Sequence, residues 1–293
     1  MKFELVKTLT SDNLRLNGLF AEGETTNSAV LFIHGFEGDF YSHKWIVMLG
    51  EAMAEQGISF LTAQHRGTAK QQVLITHEGK AHNAGSYFER LEEAYLDIDA
   101  WISFLQTRGI EEVILAGHSL GTIKVVRYLF EGNKASVVRK LVLLCPFDKN
   151  WLLKTAAQEI AGTSLEELIA IAEHHVKEGK GEQLAPNGFD EVPHSFANYL
   201  SWADQGEIGR MFDFHEAKYT FPLLTKIQIP VKIIVGTSDE FFHPSNPQHP
   251  EEAMNILLTN IPKSEGRLLQ GARHSFKGYE EEMVREVVEF VEE

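Results

Sequence analysis

The sequence predicts an α/β protein: a mostly parallel, eight-stranded sheet with helices on both faces and a helical insertion at one edge. Three observations predict it. Short apolar runs alternate with amphipathic helical patterns from Ala29 to about residue 146. The same alternation resumes at Val231 after a long interruption. One of the runs, Val113-Ile114-Leu115-Ala116, passes directly into Gly117-His118-Ser119-Leu120-Gly121 and then into a helical pattern from Thr122 to Phe130. Strands alternating with helices imply right-handed crossovers and a parallel sheet covered on both sides.

The elements follow in order. Phe3 to Thr8 and Leu14 to Phe20 alternate in polarity around Ser11-Asp12-Asn13, which predicts an edge hairpin. Ala29 to Ile33 is wholly apolar, as a strand buried on both faces should be. Lys44 to Gln56 has helical spacing, and Ile58 to Leu61 is the next strand. Tyr87 to Thr107 carries Leu91, Tyr95, Ile98, Trp101 and Leu105 at helical steps and predicts one long helix. Lys140 to Leu144 is a strand after the Thr122–Phe130 helix. Between Phe147 and Phe221 no buried strand pattern occurs, although Ser164 to Glu178 is helical in spacing. Val231 to Gly236 resumes the sheet. A helix from Glu251 to Leu258, a strand near Arg267 to Leu269 and a helix from about Gly278 complete it. Residues 1–146 and 223–293 are therefore expected to form the core. Residues 147–222 are expected to form a helical insertion over the carboxyl edge of the sheet, read as a substrate cap because open α/β sheets bind ligands there, with an insertion that does not touch substrate as the alternative.

The chain has 293 residues, with 27 basic and 42 acidic side chains and a formal charge of −15. That excess argues against nucleic acid as a partner. The single cysteine, Cys145, excludes an internal disulfide and, following Leu141–Leu144, is expected as a buried strand-end residue. The N-terminus lacks the apolar run of a signal peptide, and no segment approaches the ~20 apolar residues of a membrane span. The expectation is a soluble, cytoplasmic protein, with a homo-oligomer left open.

The segment around Ser119 has the form of a nucleophile elbow. Three fixed Gly and Ser positions recur by chance in about one chain of this length in ten. The strand before and the helix after are what carry the reading. A serine hydroxyl needs a base to take its proton and an acid to hold that base. Asp239 leaves the end of the Val231–Gly236 strand and is the expected acid, with Glu240 and Asp148 as rivals. His274 follows the last strand and is the expected base. Among its competitors, His243 falls too soon after Asp239. His118 should point away from the reacting centre, and His65 should be structural. Two backbone N–H groups should hold the developing oxyanion, those of Leu120 and of Phe36 in the loop His34-Gly35-Phe36-Glu37-Gly38.

His34-Gly35, the Gly117–Gly121 elbow, Asp239 and His274 resemble the α/β-hydrolase superfamily over nearly the whole chain. Gln64-His65-Arg66-Gly67, Asp97 to Ile102, and Gly206-Glu207 with Met211-Phe212 are similar to a branch containing fungal siderophore esterases. Lysophospholipase-like and cinnamoyl-esterase-like hydrolases also carry a His-Gly-Phe loop. The resemblance implies the triad Ser119, Asp239 and His274. Thr68-Ala69-Lys70 departs from the small residues common in the superfamily at that point.

His174-His175 lack the i, i+4 spacing of a helical metal pair and are expected to be solvated or packed. His243-Pro244 through His249-Pro250 is loop punctuation. Aromatics in the insertion (Trp151, Phe196, Tyr199, Trp202, Phe212, Phe214, Tyr219, Phe221) should form its core, a few lining an apolar acyl or aryl pocket. The expected function is hydrolysis of a carboxylic ester of a small organic molecule through an acyl-enzyme, without metal or organic cofactor. The alternatives are a non-catalytic ligand-binding protein on the same scaffold and an acyltransferase using the same residues.

Overall fold

The computed structural model describes residues 2–24, 27–216, 218–241 and 250–293. The chain runs β1 (Glu4–Leu9), β2 (Arg15–Ala21), β3 (Ser28–Ile33), α1 (Lys44–Glu55), β4 (Ser59–Ala63), β5 (Gln72–Ile75), β6 (Ala81–Ala84), α2 (Ala94–Thr107), β7 (Glu112–His118), α3 (Leu120–Glu131) and β8 (Val138–Leu144). It continues through α4 (Lys149–Glu159), α5 (Leu165–Lys177), α6 (Phe196–Trp202), β9 (Val231–Gly236), α7 (Pro250–Asn260), β10 (Ser264–Leu269) and α8 (Glu280–Glu292).

Among the described residues eight strands form one sheet in the order β1-β2-β4-β3-β7-β8-β9-β10. β1/β2 and β2/β4 pair antiparallel, and every other pair is parallel. Successive side chains of a strand face opposite sides, and the core divides accordingly. Leu31, Ile33, Val113, Leu115, Leu141 and Ile233 pack with α2 and α3. Val30, Phe32, Ile114, Val142 and Ile234 pack with α1 and α8. This two-sided burial is why the central strands are continuous apolar runs.

One expectation of local structure is corrected, and one element was not foreseen. The helix expected from Tyr87 begins as a single 3-10 turn at Leu91–Glu93 and becomes α-helical at Ala94. Its proposed first turn is consumed elsewhere: Arg90 is extended at φ −107, ψ 126, and the Tyr87 carbonyl accepts the Ser195 N–H. The antiparallel ribbon β5–β6 had no sequence signature, because its exposed residues show no buried periodicity.

Between β8 and β9 the chain forms α4, α5 and α6 joined by irregular segments, and its described residues hold only an isolated bridge, Leu184 with Ser195. Side chains of Asp148, Ser164 and Ser195 cap α4, α5 and α6 by accepting from Trp151, Glu167 and Asn198 N–H groups. Its apolar residues Leu153, Leu168, Phe196 and Trp202 join the same cluster as the α2/α3 face of the sheet. No helix of the described residues is long and apolar enough to cross a membrane. His243 and the His243-Pro244 to His249 segment lie outside the described residues.

Candidate active site

Ser119 occupies the junction of β7 and α3 with φ 55 and ψ −123. Such a backbone costs a non-glycine residue about 1–3 kcal/mol and persists only where the surroundings impose it. Here the turn is set by close packing on both sides. A Cβ on Gly117 would lie 2.5 Å from the Gly121 carbonyl, and one on Gly121 would lie 2.2 Å from the Ile33 oxygen. A Cβ on Gly35 would meet the Ser119 Cβ at 2.7 Å. The glycines therefore allow the elbow, β3 and the loop after β3 to approach one another. Leu120 is the first residue of α3, so its N–H lies at the positive end of the helix.

Asp239 and His274 leave the ends of β9 and β10 and meet. The His274 Nδ1–H is shared between Asp239 Oδ1 at 2.9 Å and Oδ2 at 3.0 Å. Asp239 is buried, which by itself would raise its pKa. The hydrogen bond and charge of His274, the Cys145 thiol and the Phe241 N–H outweigh burial and hold it below the ordinary aspartate value. The carboxylate thus stays ionised beside the imidazole.

Two cavities open onto this pair. One of about 210 Å³ is lined by His34, Gly35, Phe36, His118, Ser119 and His274. The other, about 230 Å³ and largely apolar, is walled by Phe147, Leu152, Leu153, Trp202 and Phe241, with Asp190, Glu191 and His194 among its polar residues. Both are bordered by Phe36, Ser119, Phe241 and His274. Among the described residues the amides of Phe36 and Leu120 donate to no other group. A larger groove of about 670 Å³ lies apart from these residues, and its arginines are already paired, Arg90 with Glu182 at 2.6 Å and Arg127 with Asp204 at 4.0 Å.

The rival residues are engaged elsewhere. Asp148 is fully buried, caps α4 and accepts from His215 Nδ1 at 2.8 Å. Glu240 pairs with Arg273 and accepts the backbone N–H of His274 at 3.4 Å, not its imidazole. His65 is buried, and His174 pairs with Glu178 while His175 stacks on Phe196 at 4.0 Å. His118 departs from expectation. It does not point away: its ring lies 4.9 Å from that of His274, and its Nε2–H donates to the His274 carbonyl at 2.8 Å. The loop after β10 crosses the end of β7, which a reading along the chain could not place. Burial holds the His118 pKa down to about 3, so the ring is a neutral donor.

Sequence reasoning missed three participants. Cys145 is buried, as expected, but its thiol also donates to Asp239. Glu89 and Lys124 form a buried ion pair at 2.6 Å beneath the loop of His34. Neither pair carries a sequence signal, since a lone Lys on a helix and a lone Glu in a loop ordinarily face water. Of the aromatics named in the insertion, Trp202 lines the apolar cavity; Phe196, Tyr199 and Phe212 are buried.

The nearest approach to a metal-ligating set among the described residues is His118, Cys145 and His274, whose donor atoms lie within 4.8 Å of one another. Those donors already serve the Asp239–His274 pair. Burial and the Asp239 charge push the Cys145 thiol up, so it offers no thiolate.

Comparison with known proteins agrees with this architecture. The Serine aminopeptidase, S33 family profile matches residues 24–187. No curated protein is significantly similar in sequence. Est1E from Butyrivibrio proteoclasticus, solved with ferulic acid bound, superposes with a TM-score of 0.66 at 20% identity, covering 97% of each chain. The Pyrococcus furiosus esterase Pf2001 superposes at 0.61 with 16% identity over 99% of this chain and 90% of that one. The α/β hydrolase GrgF from Penicillium sp. sh18 superposes at 0.66 with 13% identity over 99% and 98%. At these identities the likeness speaks for the fold. With the family profile matching more than half of the sequence, and the sheet and helices arranged as in these hydrolases, the chain belongs to the serine aminopeptidase S33 family of α/β-hydrolases.

Proposed function

We propose that the protein is a serine esterase that cleaves a carboxylic ester of a small organic molecule through an acyl-enzyme. The observation that carries this reading is the His274–Asp239 hydrogen bond at the border of a cavity that Ser119 also lines. Because the Nδ1–H donates to Asp239 and stays on the ring, Nε2 is left with the lone pair of a base. His274 takes the Ser119 hydroxyl proton as Oγ attacks the carbonyl carbon. The N–H groups of Phe36 and Leu120 receive the oxyanion. Collapse expels the alcohol, protonated by His274, and a water activated by the same imidazole then releases the acid. Asp239, kept ionised, holds the tautomer and stabilises the imidazolium.

The apolar chamber of Phe147, Leu152, Leu153 and Trp202 suits a compact alkyl or aryl acyl group. Est1E, which takes ferulic acid, is a precedent for an aryl acid on this fold. Amide hydrolysis at a peptide N-terminus is the second reading. The family's name points that way, and Asp190 and Glu191 line the chamber where they could receive an ammonium group.

The test is mass spectrometry after treatment with a fluorophosphonate, followed by turnover of p-nitrophenyl esters and aminoacyl anilides. A single adduct on Ser119, absent in His274→Ala, together with faster ester turnover, supports the esterase. Faster anilide turnover selects the second reading. A folded protein without an adduct refutes both.

A further inference from the structure

The buried groups below the loop after β3 carry an inference that rests on the esterase reading and deepens it. Their hydrogen bonds permit one arrangement of protons. The Gly67 N–H donates to His65 Nδ1 at 3.1 Å, and Lys124 Nζ approaches the same atom at 3.3 Å. Both are donors, so Nδ1 of His65 accepts and its proton sits on Nε2. That N–H donates to the His34 carbonyl at 3.3 Å. His34 Nδ1 faces the Gly35 carbonyl at 2.9 Å, which can only accept, so His34 carries its proton on Nδ1. Its Nε2 then accepts from Thr68 Oγ1 at 2.7 Å, and Thr68 Oγ1 accepts in turn from the backbone N–H of His65 at 3.1 Å. The two imidazoles stack with centroids 4.0 Å apart.

This arrangement ends on one peptide unit. The Gly35 carbonyl receives the His34 imidazole N–H and, at 3.3 Å, the Gly38 N–H. A trans peptide is planar, with its C=O and N–H pointing in opposite directions. Fixing the Gly35 oxygen therefore fixes the Phe36 N–H, and donation to the oxygen polarises that N–H into a stronger donor. At the other end, Lys124 lies on α3, the helix that begins beside Ser119, and is held by Glu89 at 2.6 Å. Glu89 in turn offers its backbone carbonyl to the Asn198 side chain. Gly67 leaves room for Glu89, since a Cβ there would lie 2.0 Å from its carboxylate.

We propose that Lys124, Glu89, His65, Thr68 and His34 form a proton-ordered relay that ties the nucleophile's helix to the Gly35–Phe36 peptide and aims the Phe36 N–H as an oxyanion donor. They are positioning residues and touch no substrate. Burial, assisted for His34 by the Lys124 charge, holds His34 down to about 3, and burial holds His65 well below its ordinary value, so both rings stay neutral across the working range.

Nitrogen-15 NMR of imidazole-labelled wild-type protein tests the proton order directly, whether or not the protein turns over esters. The expected result is an Nδ1–H tautomer for His34 and an Nε2–H tautomer for His65; any other pair overturns the proposal. Kinetics test its consequence. Thr68→Val removes the hydroxyl at nearly constant volume, and the double variant Lys124→Met/Glu89→Gln removes the buried pair without leaving a lone charge. In each, kcat for a p-nitrophenyl ester should fall about tenfold or more with KM within twofold, and binding of a boronic acid tetrahedral mimic should weaken in parallel. A folded Thr68→Val protein with wild-type kcat overturns the relay. A wild-type protein that neither labels at Ser119 nor hydrolyses esters overturns the esterase reading instead, and the tautomers still decide this one.

Discussion

Gly121→Ala is a demanding perturbation of the elbow, because two opposing effects act at one position. Gly121 lies in the first turn of α3, where alanine ordinarily stabilises a helix by about 1 kcal/mol relative to glycine. The added Cβ, however, would sit 2.2 Å from the Ile33 oxygen and 3.0 Å from the His34 oxygen. Both are backbone atoms of a central strand and its following loop, so no side-chain rotation relieves the contact. Reaching ordinary van der Waals distance requires β3 and α3 to separate by more than 1 Å. Overpacking of this kind costs about 3 kcal/mol, so the clash outweighs propensity and a net loss of about 2 kcal/mol is expected. The displaced strand leads into the loop that carries the Phe36 N–H, and a shift of about 1 Å at a reacting centre lowers rate roughly 100-fold. Urea unfolding and p-nitrophenyl ester hydrolysis measure the two effects. Gly79→Ala is the control. Nothing lies within 4 Å of its Cβ and only its φ of +80 is strained, so it should cost about 1 kcal/mol and leave kcat unchanged. A Gly121→Ala protein with the wild-type unfolding midpoint and kcat would refute the steric account of the elbow.

Three further outcomes are expected. Ser119→Gly relieves the φ of 55 and should raise stability by about 1 kcal/mol while abolishing turnover; a lower melting temperature would contradict the strain argument. Asp239→Asn should lower kcat by about 10⁴ by releasing the His274 tautomer, whereas Asp148→Asn should leave kcat within a few-fold and cost about 1 kcal/mol through the α4 cap and the His215 bond. The reverse ranking of these two would move the acid to β8. Burial raises Asp190 to about 6, and its Oδ2 has no hydrogen-bond partner among the described residues. The unfolded chain ionises this group first, so the folded state loses stability as pH rises from about 4 to 6. Asp190→Asn should therefore be more stable than wild type by roughly 3 kcal/mol at pH 7 and equal to it below about pH 4, by chemical denaturation at each pH.

The sheet was legible because each central strand is buried on two faces and is therefore mostly apolar, as Ala29–Ile33 is throughout and Ile233–Val235 are within β9. The elbow was legible because its constraint is local: a strand, a strained residue and a helix, with glycines where backbones cross. Asp239 and His274 could be located from their addresses after β9 and β10, since the carboxyl ends of parallel strands converge on one edge. The β5–β6 ribbon was not legible, because exposed antiparallel residues need no pattern. Nor was the late start of α2, where Tyr87 and Phe88 lie in a turn, Arg90 is extended and the Tyr87 carbonyl is taken by the Ser195 N–H of the insertion.

Local sequence, then, determined the strands of the eight-stranded sheet, the elbow and which residues emerge at its edge, because periodicity and glycine sterics act over a few residues. Tertiary packing alone decided that His118 supports His274, that the Cys145 thiol meets Asp239, and that Lys124 finds Glu89 beneath the loop of His34. Each of these joins groups far apart in the chain through a single polar contact. Desolvation makes such a contact consequential only once the surrounding core has closed, and no spacing along the chain records it.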